Sequence, residues 1–202
     1  MTFYGNRQKF QWLSVKIGGA FSRLGVSPNQ WTLMTILPTL GTLYSLMNSN
    51  FLLAAVFLII TGFIDLIDGS VARVMGKVTK LGAYLDTMMD RYVESLIIIG
   101  LLLVALPGFY LPAAVWLFIY FMGSMMTTYA KSAAKEKELV EDELSGGIVE
   151  RAERFFILFI GMVLAAYDRS ILTYAIVILA VLTNISALQR AYKAKSMSGK
   201  GR

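Results

Sequence analysis

The chain has 202 residues, 56% of them hydrophobic and only 16% charged, with a mean hydropathy of +0.62. Soluble domains carry roughly 25% charged residues, so this composition points to an integral membrane protein. There is no cysteine and no histidine, which excludes disulfides, thiolate metal sites, cysteine nucleophiles and imidazole bases. Acid, base and metal work is left to carboxylates, which favour hard cations such as Mg²⁺ or Mn²⁺. In a membrane protein the net charge of +6 reads as attraction to anionic lipid rather than to nucleic acid.

In chain order, Arg7, Lys9, Lys16 and Arg23 interrupt the opening apolar residues, so no removable signal peptide is expected. Phe10, Leu13, Ile17, Phe21 and Leu24 fall at helical spacing, while Lys9, Lys16 and Arg23 recur on another face. This pattern predicts an amphipathic helix within residues 1–26 that lies along the cytoplasmic interface, with Trp12 near the headgroups. Apolar blocks follow over 30–48, 51–74, 81–106, 109–131, 148–167 and 170–190, each near the ~20 residues that cross a bilayer core. The expected fold is therefore an all-α integral membrane protein, six transmembrane helices preceded by the interfacial helix, in a single domain with its bundle over 27–192. Ser27 and Pro28 suit the start of the first span, which Pro38 and Gly41 are expected to kink. The basic, small and polar stretch 193–202 is expected to be a disordered tail facing lipid.

The connections after the first, third and fifth spans are short, and Arg169 is the only basic residue there. The other Lys and Arg lie at the opposite ends, so the positive-inside rule predicts cytoplasmic termini and cytoplasmic longer connections. Toward that side, the second and third spans carry Asp65, Asp68, Asp86 and Asp90. A charge near the centre of a transmembrane helix costs roughly 2.5 to 3.5 kcal/mol, so four together call for a compensating ligand. Counted from the cytoplasmic turn at 1.5 Å per residue, Asp68 and Asp86 lie about 8 Å deep and Asp65 and Asp90 about 14 Å deep. Spacings of three and four residues put each pair on one helix face, which predicts a square of carboxylates poised for two divalent ions. Gly69, Ala72 and Gly82 leave room for a ligand, Arg73 offers a guanidinium to phosphate, and Arg91 with Glu94 reads as a supporting ion pair. Ser70, with no histidine to activate it, reads as packing.

The run Asp65-x-x-Asp68-Gly69-x-x-Ala72-Arg73, then Gly82-x-x-x-Asp86-x-x-x-Asp90, resembles the signature of the CDP-alcohol phosphotransferases at every fixed position. The resemblance extends over almost the whole chain and implies an enzyme that moves a phospho-lipid group from a CDP-linked donor, CDP-diacylglycerol or CDP-archaeol, onto an alcohol with release of CMP. It implies that Asp65, Asp68, Asp86 and Asp90 hold two Mg²⁺ or Mn²⁺ ions and that Asp90 also takes the proton of the attacking hydroxyl. It further implies that Asp68, Gly69, Ala72, Arg73 and Gly82 line the cytidine diphosphate site, and that the protein is a homodimer. Asn29 and Thr32 resemble the family's Pro-Asn-x-x-Thr opening of the first helix and are expected near the nucleotide, although capping and interhelical hydrogen bonding explain them equally well.

Lys131, Arg151, Arg154 and Arg190 all fall near the cytoplasmic mouth, where a basic pocket beside the carboxylates suits an acceptor that carries its own phosphate. The Tyr129-x-Lys131, Glu150-Arg151-x-Glu153-Arg154 and Gln189-Arg190 elements resemble the branch that uses inositol phosphate, and the resemblance assigns those basic residues to the acceptor phosphate. Alternatives are glycerol 3-phosphate as acceptor, a basic fringe in which Glu150 and Glu153 pair with the arginines, and a divalent-cation or proton-coupled transporter, since intramembrane carboxylates also mark ion pathways. The one-sided clustering of the carboxylates and the lack of an inverted repeat speak against transport.

Overall fold

The computed structural model describes residues 7–140, 144 and 146–198. It is all helical, with no β-strand among the described residues: α1 (Arg7–Ser22), α2 (Pro28–Met34), α3 (Ile36–Met47), α4 (Phe51–Val74), α5 (Lys80–Leu102), α6 (Ala113–Glu136), α7 (Arg151–Ala165) and α8 (Arg169–Ser198). α4, α6 and α8 are each long and apolar enough to cross a membrane. The outside of the bundle is apolar too, with Leu37, Tyr44, Leu52, Val56, Phe118, Phe156 and Leu188 exposed. In water this surface would drive aggregation; against lipid it is the natural exterior of a multi-pass membrane protein.

The first apolar block breaks into two helices at Thr35, upstream of both expected kink residues. The cause is still Pro38, which has no N–H to give the Met34 carbonyl and crowds the turn before it. Thr35 tightens that turn, its backbone N–H and its hydroxyl both donating to the Thr32 carbonyl, at 3.3 and 2.6 Å. Ser27 caps α2 as expected, receiving the Gln30 N–H while Gln30 Oε1 receives the Ser27 N–H at 2.8 Å.

The C-terminal expectation is corrected. α8 continues through Ser198 instead of ending before a disordered tail, and only 199–202 fall outside the described residues. Ala194 holds this extension by packing with Ala134, Val140 and Leu144, and the alanines and lysines around it are strong helix formers. Of the expected amphipathic face, Phe10, Leu13 and Lys9 have side chains outside the described set, while Ile17 and Phe21 are half-buried and Trp12 is exposed.

The main core occupies one end of the bundle. Leu46, Ala54, Leu58, Ile97, Leu101, Leu117, Met162, Leu172, Ile176 and Leu179 fill the space where the first half of α4 meets the far ends of α5 and α7 and the near ends of α6 and α8. At the other end the turn at 75–79 joins α4 to α5, and nowhere along the two helices do their Cα atoms approach within 8 Å. α2 packs against both of them instead, so the two signature helices face each other across a gap with α2 along one side.

Candidate active site

The gap is a cleft of about 330 Å³. Asn29 and Thr32 of α2, Asp68, Gly69, Ala72 and Arg73 of α4, and Gly82 and Asp86 of α5 all line it. Pro28, Lys77, Val78, Thr79 and Ala83 complete the wall. The Asn29 carboxamide is close enough to Gly82 that a Cβ there would sit 3.2 Å from Asn29 Oδ1. Thr79 caps α5, its hydroxyl receiving the Gly82 N–H at 3.0 Å, so the cap and the cleft wall are one piece of structure.

At the inner end of the cleft, one carboxylate oxygen each from Asp65, Asp68 and Asp86 lies within 4.8 Å of the others. Asp68 is 6% exposed, and its Oδ2 is buried with no hydrogen-bond partner. Buried carboxylate oxygens normally find a donor, so three converging carboxylates with an unsatisfied oxygen among them are a donor set that fits a hard divalent cation. Asp90 stands apart from these three, drawn to Arg151: Nη1 of Arg151 is 2.8 Å from Asp65 Oδ1 and 2.5 Å from Asp90 Oδ1. The expected square of four is thus three clustered carboxylates with Asp90 joined to them through an arginine.

The expected basic residues meet different parts of the structure. Arg151 reaches the carboxylates from the first turn of α7 and lies over the Phe155 ring, 5.1 Å from its centroid. Arg154 is 3% exposed, with Nε 3.4 Å from Glu94 Oε1. Arg190 donates to the carbonyls of Gly146, at 2.9 Å, and Thr127, at 2.8 Å, tying α8 to the loop before α7 and to α6. Lys131 lines a hollow with Ser132, Lys135 and Glu136. Glu153 accepts the Glu150 N–H at 2.8 Å and so serves the start of α7.

Arg91 and Glu94 do pair, at 2.7 Å, but they belong to a larger network. Glu94 is 2% exposed and accepts hydrogen bonds from the Ser124 hydroxyl at 2.5 Å and the Tyr120 hydroxyl at 3.2 Å, while Arg154 flanks it from α7. Tyr120 and Ser124 were not singled out from the sequence; they lie four residues apart within an apolar run, where an aromatic and a small hydroxyl read as ordinary packing.

Residues 25–186 match the family model described as CDP-alcohol phosphatidyltransferase. The chain belongs to the CDP-alcohol phosphatidyltransferase family. It is therefore a transferase of substituted phosphate groups, and the matched stretch contains every residue that lines the cleft. Among relatives, the archaetidylinositol phosphate synthase of Pyrococcus horikoshii is 34% identical over 181 residues, covering 89% of each chain. The phosphatidylinositol phosphate synthase of Mycolicibacterium smegmatis is 31% identical over 193 residues, covering 93% of this chain and 86% of that one. The fold is similar to the crystal structure of the Mycobacterium tuberculosis phosphatidylinositol phosphate synthase in complex with manganese and citrate, with a TM-score of 0.79 and 25% identity over 91% of this chain and 89% of that one.

Proposed function

We propose that this member of the CDP-alcohol phosphatidyltransferase family transfers the phospho-lipid group of a CDP-linked lipid to inositol phosphate and releases CMP. The observation that carries the reading is the single cleft in which Asn29, Thr32, Gly69, Ala72, Arg73 and Gly82 lie beside Asp68 and Asp86. Similarity to inositol phosphate lipid synthases over most of the chain supports the choice of acceptor. Glycerol 3-phosphate is the second reading, because its phosphate would suit the same basic residues.

Asp65, Asp68 and Asp86, with Asp90 beside them, would hold two ions, Mg²⁺ or Mn²⁺, which when bound neutralise charge on the donor's pyrophosphate. Arg73 and the small wall residues bind and orient the cytidine diphosphate, and Asn29 and Thr32 contact the nucleotide from α2. Asp90 takes the proton of the acceptor hydroxyl. Arg151 holds Asp90 and Asp65 in register and, with Lys131 and Arg190, binds the acceptor phosphate, while Arg154 stands behind Arg151 against Glu94. In the membrane this reading has six crossings, with α2 and α3 together forming the first, and α1 at the cytoplasmic interface. Both termini and the cleft face the cytoplasm of the cell membrane, and a homodimer forms through the apolar faces of α5 and α6.

The test is CMP release by purified protein in detergent with Mg²⁺ or Mn²⁺, using CDP-diacylglycerol or CDP-archaeol and offering inositol 1-phosphate, inositol, glycerol 3-phosphate or serine separately. CMP and the matching lipid product with inositol phosphate alone is the expected result. Turnover with glycerol 3-phosphate instead keeps the donor site and overturns the acceptor; no turnover with any pair overturns the transferase reading.

A further inference from the structure

We propose that Ser14, on the helix preceding the signature bundle, is a positioning residue that presets the Arg73 guanidinium for the donor diphosphate. The proposal rests on the reading of the cleft as a CDP-lipid site. Ser14 Oγ accepts from Arg73 Nε at 3.2 Å and from Arg73 Nη2 at 2.8 Å, across 59 residues of sequence. A serine hydroxyl has two acceptor lone pairs and one proton. With both lone pairs taken by Arg73, the Ser14 proton goes to the Ser70 hydroxyl 3.0 Å away. Ser70 is 0% exposed and also lies 3.4 Å from Arg73 Nη2, so the two serines hold one edge of the guanidinium as a pair. Nη1 takes no part in these bonds and lies over Gly69 in the cleft wall, where an added Cβ would be 3.5 Å from it.

The position of Ser14 is itself fixed by packing. One turn further along α1, Gly18 is buried so closely on α4 that an added Cβ would collide with the Ser70 carbonyl. Phe21 continues the contact, its ring edge-on to Trp31 of α2 at 5.6 Å and to Phe63 of α4 at 6.1 Å. α1 is thereby seated on α4 in one register, with Ser14 beside the guanidinium. Arg73 is otherwise exposed at the end of a long side chain, and such a side chain loses rotamer freedom when a ligand orders it. Holding it beforehand moves that loss from binding to folding.

Because the ordering serves ground state and transition state alike, its loss raises KM for the donor and leaves kcat in place. The test is CDP binding by calorimetry and CDP-lipid kinetics on the full chain in detergent with Mn²⁺. Ser14→Ala is expected to weaken CDP binding and raise KM for the CDP-lipid about tenfold, with kcat unchanged. Ser14→Thr, which keeps the hydroxyl, is expected to bind within about twofold of wild type. In an Arg73→Ala background, Ser14→Ala is expected to change CDP affinity no further. Gly18→Ala, which lifts α1 from α4, reaches the same contact by a second route and is expected to raise KM in the same direction. Unchanged CDP affinity in Ser14→Ala, or an equal loss with and without Arg73, overturns the positioning role while wild-type binding leaves the donor site standing. Failure of the wild-type protein to bind CDP overturns the donor-site reading and the positioning role together.

Discussion

α4 passes through two kinds of surroundings. Along its first half, Phe51, Ala54, Ala55 and Leu58 are buried among apolar side chains of neighbouring helices, and the space between helices is filled. Along its second half, from Asp65 to Arg73, the helix faces a gap that no α5 backbone closes, and carboxylates, glycine and arginine line it. The filled end supplies the packing that fixes the helices in place against the like charges that push at the open end. Stability and chemistry are consequently separable along one helix, and substitutions at the two ends should have opposite signatures.

The largest separation is expected at Asp90. Asp90→Asn should lower transfer by about a thousandfold or more, the effect of losing the base, while the protein still inserts and binds CDP-lipid. Retained turnover, with thermal unfolding measured in parallel, would break the assignment. Glu94 lies at the seam between the ends, where its removal leaves buried Arg154 and half-buried Arg91 without their shared anion. Glu94→Gln should therefore destabilise the protein by about 3–5 kcal/mol and impair transfer as well, read from thermal unfolding and steady-state kinetics. In the filled end, Leu117→Ala at a fully buried site should cost about 2–5 kcal/mol of stability and leave KM for the donor unchanged in the protein that remains folded. The smallest effect is expected at Gly82→Ala, whose new Cβ meets Thr79 Oγ1 at 3.0 Å and Asn29 Oδ1 at 3.2 Å. It should raise donor KM about threefold without lowering the melting temperature, since the neighbours shift by a few tenths of an ångström.

The carboxylate cluster was legible in the sequence because a charge inside an apolar helix has few explanations, and the spacings of three and four residues fix which face it occupies. The neighbours that tune it were less legible. Arg151 was visible as a basic residue near the mouth, but its bridge between Asp65 and Asp90 depends on how α7 docks against α4, which no local pattern encodes. The Glu94 network draws on three helices, and Tyr120 and Ser124 carry no signal in a run of apolar residues. The break at Thr35 was displaced from the expected kink because proline acts on the turn before it. The helical extension to Ser198 depends on Ala194 meeting Val140 and Leu144, partners fifty or more residues away.

The central claim is that the open end of the bundle is a metal-dependent donor site built on Asp65, Asp68 and Asp86. It is tested most directly by Mn²⁺ binding, followed by electron paramagnetic resonance, to wild-type protein and to Asp68→Asn, with melting temperatures measured on the same samples. The account predicts Mn²⁺ binding that tightens in the presence of CDP in the wild type and is lost in a variant that melts no lower. Equal Mn²⁺ binding by both proteins would contradict it.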